Sequence, residues 1–326
     1  MPPSEYVTIS HSENTHPPNT ISAAAAKVSP REKISAMILL RSRNPVAWQE
    51  TMEQHATRLP RDRRYYTAAE FNETFGPSPA DVKAVRSFLR GSGLQVVEEN
   101  LDCLCLCVQG TTAAFGKAFQ VTFQMWQPEG GSVYRSYAGP LRVPKELGGV
   151  IDAVLGLDNR QVSQHHLSGG LVKIGKNHAE ARRVAGIYKF PGGAKPAGCI
   201  AIIELAGGFA PSTVRRYFRK HKQAAPKIVV VEVDGQKNNP APAKEIDQYW
   251  EALEKGQPVN PSQDLTWTIE TSLDVELAGS FATVEKVLVY MTQGTMHGKL
   301  QAFMCALSDK RAPSVISCSG SVPTTR

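Results

Sequence analysis

The sequence lacks any run of apolar residues long enough to cross a membrane. A membrane helix needs about 20 consecutive, mostly apolar residues, and no stretch of this 326-residue chain approaches that length. The first 33 residues also lack an apolar segment of signal-peptide length, because the alanine run at residues 23–26 is too short. We therefore expect no membrane partner, and the chain carries no recognisable export signal.

Cysteine is scarce as well, with six residues in the whole chain, and this excludes a disulfide scaffold. Three of them, Cys103, Cys105 and Cys107, alternate with other residues. The alternation predicts one face of a strand, with thiols roughly 6–7 Å apart. That spacing suits neither a tetrahedral zinc site nor a disulfide bond. We expect reduced, mostly buried cysteines and no metal site.

The basic charge excess is small and dispersed. The chain has 37 Lys and Arg against 30 Asp and Glu, a net charge of +7. The basic residues are scattered among the acids, and no platform of alternating basic and aromatic residues stands out. The pattern is typical of a solvated surface, although it leaves open an anionic partner. We expect no nucleic-acid partner. A nucleic-acid complex would be recognised by affinity that falls steeply with salt.

The chain divides into four segments by composition and periodicity. Residues 1–32 are rich in small and polar residues without apolar periodicity, which predicts a disordered leader. Residues 33–158 mix short strands and helices, which predicts an α+β domain. Residues 159–183 are polar and basic, as expected of a linker. Residues 184–326 alternate apolar strands with helices, which predicts a parallel sheet covered on both faces.

Local signals place the elements of the first domain. Thr67 and Glu70 have the spacing of a capping box, and Ser78 followed by Pro79 is a typical helix start. The predicted strands cover residues 33–40, 94–98, 102–109, 119–125 and 132–137. The predicted helices cover residues 45–57, 78–91, 111–117 and 144–155. In the second domain, residues 235–266 are predicted to be a long irregular segment.

Three acids are the candidate catalytic residues. Glu270 and Asp274 lie one turn apart on a helix predicted over residues 268–281, and Glu204 lies near the carboxyl end of an apolar strand. Burial would raise the pKa values of such acids and their proximity would separate them, so that one holds a proton while another accepts one. Taken alone, the helical pair is more typical of a solvent-facing edge. The apolar row beside it comprises Ile269, Leu273, Leu277 and Phe281.

Several segments resemble one peptidase family. Residues 65–82 closely resemble the activation pro-domain of the sedolisins, the serine-carboxyl peptidases of the kumamolisin type. Residues 185–191, 199–208 and 270–279 are similar to successive landmarks at the start of that family's catalytic domain. The resemblance runs from about residue 33 to residue 319 in the same order and spacing. It implies a ferredoxin-like pro-domain followed by the N-terminal part of a subtilisin-like α/β domain.

The resemblance also implies roles for the three acids. Glu270 matches the general base for a serine nucleophile, Asp274 matches the aspartate that orients it, and Glu204 matches an acid that extends the network. A carboxylate base in place of histidine suits acidic pH. The family's oxyanion aspartate lies in a Gly-Asp-Ser-Gly motif and its nucleophile in a Gly-Thr-Ser motif.

The sequence departs from the family in its last part. Neither of those motifs occurs in the chain, and the family's calcium loop is missing too, so we expect no nucleophile and no cofactor. Where the family continues Ser-x-Ser-Trp-Gly-Gly, this chain has Gly320-Ser-Val-Pro. Ser317, Ser319 and Ser321 lie in no nucleophile motif, and we interpret them as structural.

Two functions are consistent with this pattern. The first is a peptidase proenzyme truncated within its catalytic domain and inactive by itself, whose complete form would act on peptides or proteins. Its pro-domain would contact the catalytic domain, and the linker would carry the processing site. The second is a non-catalytic inhibitor or folding chaperone of related peptidases. The family implies an extracellular location, which the sequence itself does not specify.

Overall fold

The structure is a computed structural model that describes residues 5–14, 16, 19–23, 27–162, 181–190, 197–257, 259–281 and 284–319. The chain forms two compact units, Met1–Arg160 and Gln161–Arg326, called unit 1 and unit 2 below. Most of the linker predicted at residues 159–183 lies outside the described residues. The predicted boundaries of the pro-domain, linker and catalytic domain therefore stay predictions.

Unit 1 is an α+β arrangement around an antiparallel sheet. Its elements are β1 (Tyr6–Thr8), β2 (Ile21–Ser22), β3 (Lys33–Leu40), α1 (Pro45–Thr57), α2 (Ala68–Phe75), α3 (Pro79–Gly91), β4 (Gln95–Asn100), β5 (Cys105–Thr111), α4 (Thr112–Phe119), β6 (Thr122–Gln127), β7 (Tyr134–Ala138), β8 (Arg142–Pro144) and β9 (Ile151–Leu155). The main sheet has the order β4-β5-β3-β9, and smaller sheets have the orders β1-β8 and β2-β6-β7. The order and connections of the main sheet are those of a ferredoxin-like fold, as expected.

Local sequence signals explain several helices of unit 1. The Thr67 hydroxyl accepts from the Glu70 N–H while the Glu70 carboxylate accepts from the Thr67 N–H, so the predicted capping box begins α2. Ser78 caps α3 by accepting from the Asp81 N–H. Apolar side chains of α3 and α4 then pack against β3 and β5 in one buried cluster. Its members include Val85, Leu89, Phe115, Phe119, Ile38 and Leu106.

The helix predicted at residues 144–155 is wrong. That stretch contains a 3-10 turn, Lys145–Leu147, and then β9, which pairs antiparallel with β3. Gly148 and Gly149 stand in the middle of the apparent helical pattern, and each glycine disfavours a helix by roughly 1 kcal/mol. Strand pairing with β3 supplies the hydrogen bonds that a helix would otherwise have made.

The three alternating cysteines do not share one strand. Cys103 ends a 3-10 turn and is followed by Leu104 in the left-handed conformation, with φ of 55°. Only Cys105 and Cys107 lie on β5, where both are buried. The six cysteines all lie in the described residues, and none of them forms a disulfide bond there.

The disordered-leader prediction is wrong for residues 5–14. β1 pairs antiparallel with β8, and Ile9 belongs to the buried cluster of unit 1 with 2% of its surface exposed. The side chain of Asn14 donates to the Asp158 carboxylate at 2.9 Å. The composition of residues 1–32 is polar on average, so it did not indicate that Val7 and Ile9 pack against unit 1.

Unit 2 contains a parallel sheet covered on both faces, as predicted. Its elements are α5 (Ala181–Ile187), β10 (Cys199–Leu205), α6 (Pro211–Lys220), β11 (Lys227–Glu232), α7 (Ala243–Glu254), α8 (Gln263–Phe281), β12 (Lys286–Thr292), α9 (Met296–Leu307) and β13 (Val315–Cys318). The strand order is β11-β12-β10-β13, and every pair is parallel. One buried cluster lies on the α9 side and another on the side of α6 and α8. The predicted irregular segment at residues 235–266 is wrong where α7 and the first turn of α8 occupy it.

Candidate active site

Glu204 lies where the carboxyl ends of the parallel strands meet. It is the sixth residue of the seven-residue β10 and is paired in register with Met291 of β12. On the other side, Ile203 is in register with Cys318 of β13, which brings Ser319 beside Glu204. Only 5% of the Glu204 surface is exposed. This edge of an open α/β sheet is where ligand sites usually lie.

Helix α8 faces this edge with small hydroxyl side chains. Its buried residues include Thr268, Thr271 and Ser272, and Leu277 is exposed, so the predicted apolar row is wrong at Leu277. The buried hydroxyls are satisfied locally. Thr268 donates to the Asp264 carbonyl at 2.9 Å and Ser272 donates to the Thr268 carbonyl at 2.7 Å. Small side chains of this kind occupy little space between helix and sheet.

The helix and the strand are joined by a buried hydrogen bond. The Thr271 hydroxyl donates to Oε2 of Glu204 at 3.0 Å. The pKa of Glu204 is raised well above its ordinary value by burial first and by the charge of Asp274 next, while the Thr271 hydrogen bond lowers it. The charge of Glu270 raises the Glu204 pKa further. Glu204 therefore favours its protonated form.

Asp274 is half-buried in the same group. Burial raises its pKa, while hydrogen bonds with Ser319 and Glu204 lower it. The Ser319 hydroxyl donates to Oδ2 of Asp274. Glu270 is half-buried one turn earlier on α8, and its Oε2 atom is buried. The three acids predicted from sequence are thus placed together at one edge of the sheet.

Sequence reasoning missed Thr271 and the contact of Ser319. Thr271 stands between the two acids of the helix, and a hydroxyl on a buried helix face is a signal that could have pointed to it. The sequence predicts a structural role for Ser319, whereas its hydroxyl hydrogen-bonds to Asp274 in the acid group. Ser317 is exposed on β13, and Ser321 lies outside the described residues.

A close turn fixes the chain after Glu204. Ala206 and Gly207 have φ of 90° and 73°, and a Cβ at Gly207 would lie 2.6 Å from the Cβ of Trp267 on α8. The next residue, Gly208, packs against the loop at Asn238: a Cβ at Gly208 would lie 2.5 Å from Oδ1 of Asn238. The Asn238 side chain accepts from the Phe209 N–H at 2.8 Å. The turn is thereby held against both α8 and the neighbouring loop.

A short backbone pairing lies at the same end of the sheet. Gln161 forms an isolated antiparallel bridge with Thr295, and the Val162 N–H donates to the Gly294 carbonyl at 2.8 Å. Residues 293–295 follow β12 directly, so their backbone lies at the carboxyl edge of the sheet. Residues 161–162 therefore pair with this segment through main-chain atoms. No local pattern in the sequence indicates this pairing.

Within the described ranges, no three His, Cys, Asp or Glu side chains are grouped so that they could hold a metal ion. Helices that are both long and apolar enough to span a membrane are also absent from the part of the chain that the structure describes.

Comparison with known proteins identifies the family. Residues 22–160 match the family model described as pro-kumamolisin, activation domain. Kumamolisin from Bacillus sp. (strain MN-32) is 31% identical over 306 residues, which cover 90% of this chain and 51% of kumamolisin. The chain belongs to the sedolisin family.

Two other relatives match either a smaller part of this chain or most of it at lower identity. Sedolisin from Pseudomonas sp. (strain 101) is 29% identical over 126 residues, covering 39% of this chain and 20% of that protein. Tripeptidyl-peptidase sed5 from Aspergillus fumigatus is 23% identical over 344 aligned residues, covering 94% of this chain and 54% of that protein. The chain thus spans about half the length of kumamolisin and of sed5.

Proposed function

We propose that this chain is the pro-domain and acid-bearing part of a serine-carboxyl peptidase that hydrolyses peptide bonds at acidic pH. The observation that carries the proposal is the group of Glu204, Glu270 and Asp274 at the carboxyl edge of the parallel sheet. Glu204 is buried and favours the protonated form, so the group holds a proton among its carboxyls. A carboxylate beside a protonated acid retains proton-accepting capacity where histidine would already be charged.

In the proposed reaction, a serine hydroxyl attacks the carbonyl carbon of the peptide. Glu270 accepts the serine proton as the new C–O bond forms, and it returns the proton to the leaving amine nitrogen as the C–N bond breaks. Water then hydrolyses the acyl-enzyme by the reverse sequence of proton transfers. Asp274 and Glu204 hold Glu270 in place. They share a proton, because burial raises the pKa of both carboxyls.

The backbone pairing at Gly294 and Thr295 is evidence in favour of a peptide substrate. Its pairing with Gln161 and Val162 is antiparallel and made by main-chain atoms. Recognition of this kind is independent of side chains, as in other cases where a peptide adds a strand to a sheet. The residues paired here begin the segment proposed to carry the processing site, so they occupy the edge as a substrate would.

The nucleophile of the proposed reaction is not in a recognised motif of residues 1–326, and we propose that these residues are inactive by themselves. The test is a chimaera in which residues 1–319 are followed by the remaining catalytic part of kumamolisin. We expect it to hydrolyse a fluorogenic peptide at acidic pH. Glu270→Gln should reduce kcat by at least about a hundredfold, the usual scale for a lost general base.

A matched variant controls for the loss of one carboxylate. Glu251→Gln removes an acid on α7 that pairs with Lys255 at the surface, and it should leave kcat unchanged. A folded chimaera without activity, or one whose Glu270→Gln variant is fully active, would refute the proposal. Folding is checked independently by circular dichroism and by the cooperativity of thermal unfolding.

A second function is favoured by one observation: unit 1 has its own sheet and its own buried cluster. A domain with a complete core can act as an inhibitor or folding chaperone of related peptidases in trans. The full chain, added to active kumamolisin at acidic pH, tests this. The second function requires saturable inhibition by the chain, and its absence would exclude that function.

A further inference from the structure

A histidine outside the acid group is buried without hydrogen bonds. His297 lies in the first turn of α9 and exposes 7% of its surface. Within the described residues, neither Nδ1 nor Nε2 of its ring has a hydrogen-bond partner. The hydroxyl of Thr292, at the end of β12, is also buried without a partner among them. Such groups are uncommon in folded proteins, since each loses its hydrogen bonds to water.

The charged side chain of Asp234 faces this histidine. Oδ2 of Asp234, in the turn after β11, lies 4.0 Å from Nε2 of His297, which is too long for a hydrogen bond. Two further buried polar side chains without hydrogen-bond partners, Thr292 at the end of β12 and Gln301 one turn along α9, do not ionise. Protonation of His297 in this position therefore places a charge in a buried site, with Asp234 as a partial counter-ion.

His297 adjoins the segment that pairs with an extended chain. It is two residues beyond Thr295, whose hydroxyl caps α9 by accepting from the Gly298 N–H at 3.0 Å. A Cβ at Gly298 would lie 2.6 Å from the Thr292 hydroxyl and 2.5 Å from the Gln293 carbonyl, so the first turn of α9 is packed tightly on residues 292–293. A movement of this turn that carries the His297 ring to water would displace Gly294 and Thr295 with it.

We propose that neutral His297 is a positioning residue for the strand-pairing segment Gly294–Thr295, and that its protonation releases the chain paired there. The inference rests on the proposed function, in which this segment holds the start of the processing linker. Because burial lowers the pKa of His297, the imidazole takes up a proton more readily after it has reached water. The pairing of Gln161 and Val162 with the segment then opens.

The direction of the pH effect follows from both ionisable groups. Burial lowers the pKa of His297 from 6.5, with Asp234 acting in the opposite direction. A solvated imidazole in the open state keeps the ordinary pKa, so opening is favoured as pH falls below 6.5. Burial raises the pKa of Asp234, which favours the closed state again when pH falls far enough to protonate it. Release is therefore greatest in mild acid.

Hydrogen exchange at the Val162 amide tests the proposal in the full chain. Its N–H is held by the Gly294 carbonyl, so its protection factor reports the pairing directly. We expect protection, corrected for intrinsic exchange, to fall by up to about tenfold one pH unit below 6.5. His297→Gln should remove this pH dependence. His221→Gln, at the end of α6, is the matched control and should retain it.

Two results would overturn the proposal: protection that does not change between pH 7 and pH 5.5, or an equal loss of protection in His297→Gln. If that variant fails to fold, titration of the labelled His297 ring by NMR in the unmodified chain decides instead, and a pKa at or above 6.5 contradicts the proposal. Neither measurement uses hydrolysis. An inactive chimaera would therefore refute the proposed function without affecting them.

Discussion

At the scale of single residues, the candidate site contains acidic side chains whose burial disfavours their ionised forms. Glu204 and Asp274 both have raised pKa values, and burial is the first cause for each. A raised pKa means that the folded state binds a proton more tightly than the unfolded state. The acids therefore stabilise the fold in their protonated forms, and stability is lost as pH rises through their folded pKa values.

Thr271 provides the sharpest test of the acid group. Thr271→Val leaves Oε2 of Glu204 buried without its hydrogen bond, which should destabilise unit 2 by about 1–3 kcal/mol. The Glu204 pKa should also rise further, because the Thr271 hydrogen bond lowers it. Denaturant unfolding and carboxyl-carbon NMR titration measure the two effects.

The control is a second buried threonine on α8. The Thr266 hydroxyl donates to the Ser262 carbonyl at 2.9 Å, and that carbonyl also accepts the Thr266 N–H. Thr266→Val therefore leaves no acceptor unsatisfied and should cost much less. Thr271→Ser should restore the Glu204 pKa. Equal effects of the two valine variants would contradict the assigned role of Thr271.

Glu276 allows a pH prediction away from the candidate site. It is 7% exposed on α8, and burial raises its pKa to about 8, opposed by Arg216. Its contribution to stability should be complete below its unfolded pKa of 4.5 and should be lost as pH rises from there to about 8. The loss is at most about 1.4 kcal/mol per pH unit.

Glu276→Gln should therefore flatten the stability of unit 2 between pH 5 and pH 8, measured by calorimetry. At pH 8 the variant should melt at a higher temperature than the unmodified chain. Glu251→Gln at the surface of α7 should change neither the slope nor the melting temperature. An unaltered pH slope in Glu276→Gln would show that this carboxyl is solvated.

At the scale of elements, periodicity predicted those segments whose burial is uniform. The near-continuous apolar strands β10 and β12 were predicted correctly because both of their faces are covered. The helix predicted at residues 144–155 failed because its alternative, pairing with β3, depends on residues more than a hundred positions away. β1 was missed for the same reason, since its partner β8 is equally remote in the chain.

The two isoleucines of the N-terminal segment test whether β1 belongs to unit 1. Ile9 is 2% exposed in the buried cluster, while Ile21 on β2 is 67% exposed. Ile9→Ala should destabilise unit 1 by about 2–5 kcal/mol, the range for a buried isoleucine truncated to alanine. Ile21→Ala should change stability by less than about 0.5 kcal/mol. Equal, small effects in denaturant unfolding would return this segment to a disordered leader.

At the scale of the whole molecule, sequence reasoning identified the acids, but not the contacts that organise them. Glu204, Glu270 and Asp274 were found through their similarity to family motifs, and the structure places them at one sheet edge. The Thr271 hydrogen bond and the bridge between Gln161 and Thr295 join positions 67 and 134 residues apart. No local pattern encodes such contacts, because they arise only when the sheet has formed.

The last prediction concerns a polypeptide of residues 1–326 by itself. It has the proposed base Glu270 and a paired segment at Val162, but no serine in a recognised nucleophile motif. Removing the nucleophile from a serine and base pair eliminates nearly all covalent turnover. At acidic pH we therefore expect no cleavage between residues 161 and 183 over hours, and no acyl adduct on Ser319. Mass spectrometry measures both. Glu270→Gln should behave identically here, whereas it should inactivate the chimaera. Self-cleavage that Glu270→Gln abolishes would mean that residues 1–326 contain a complete catalytic site.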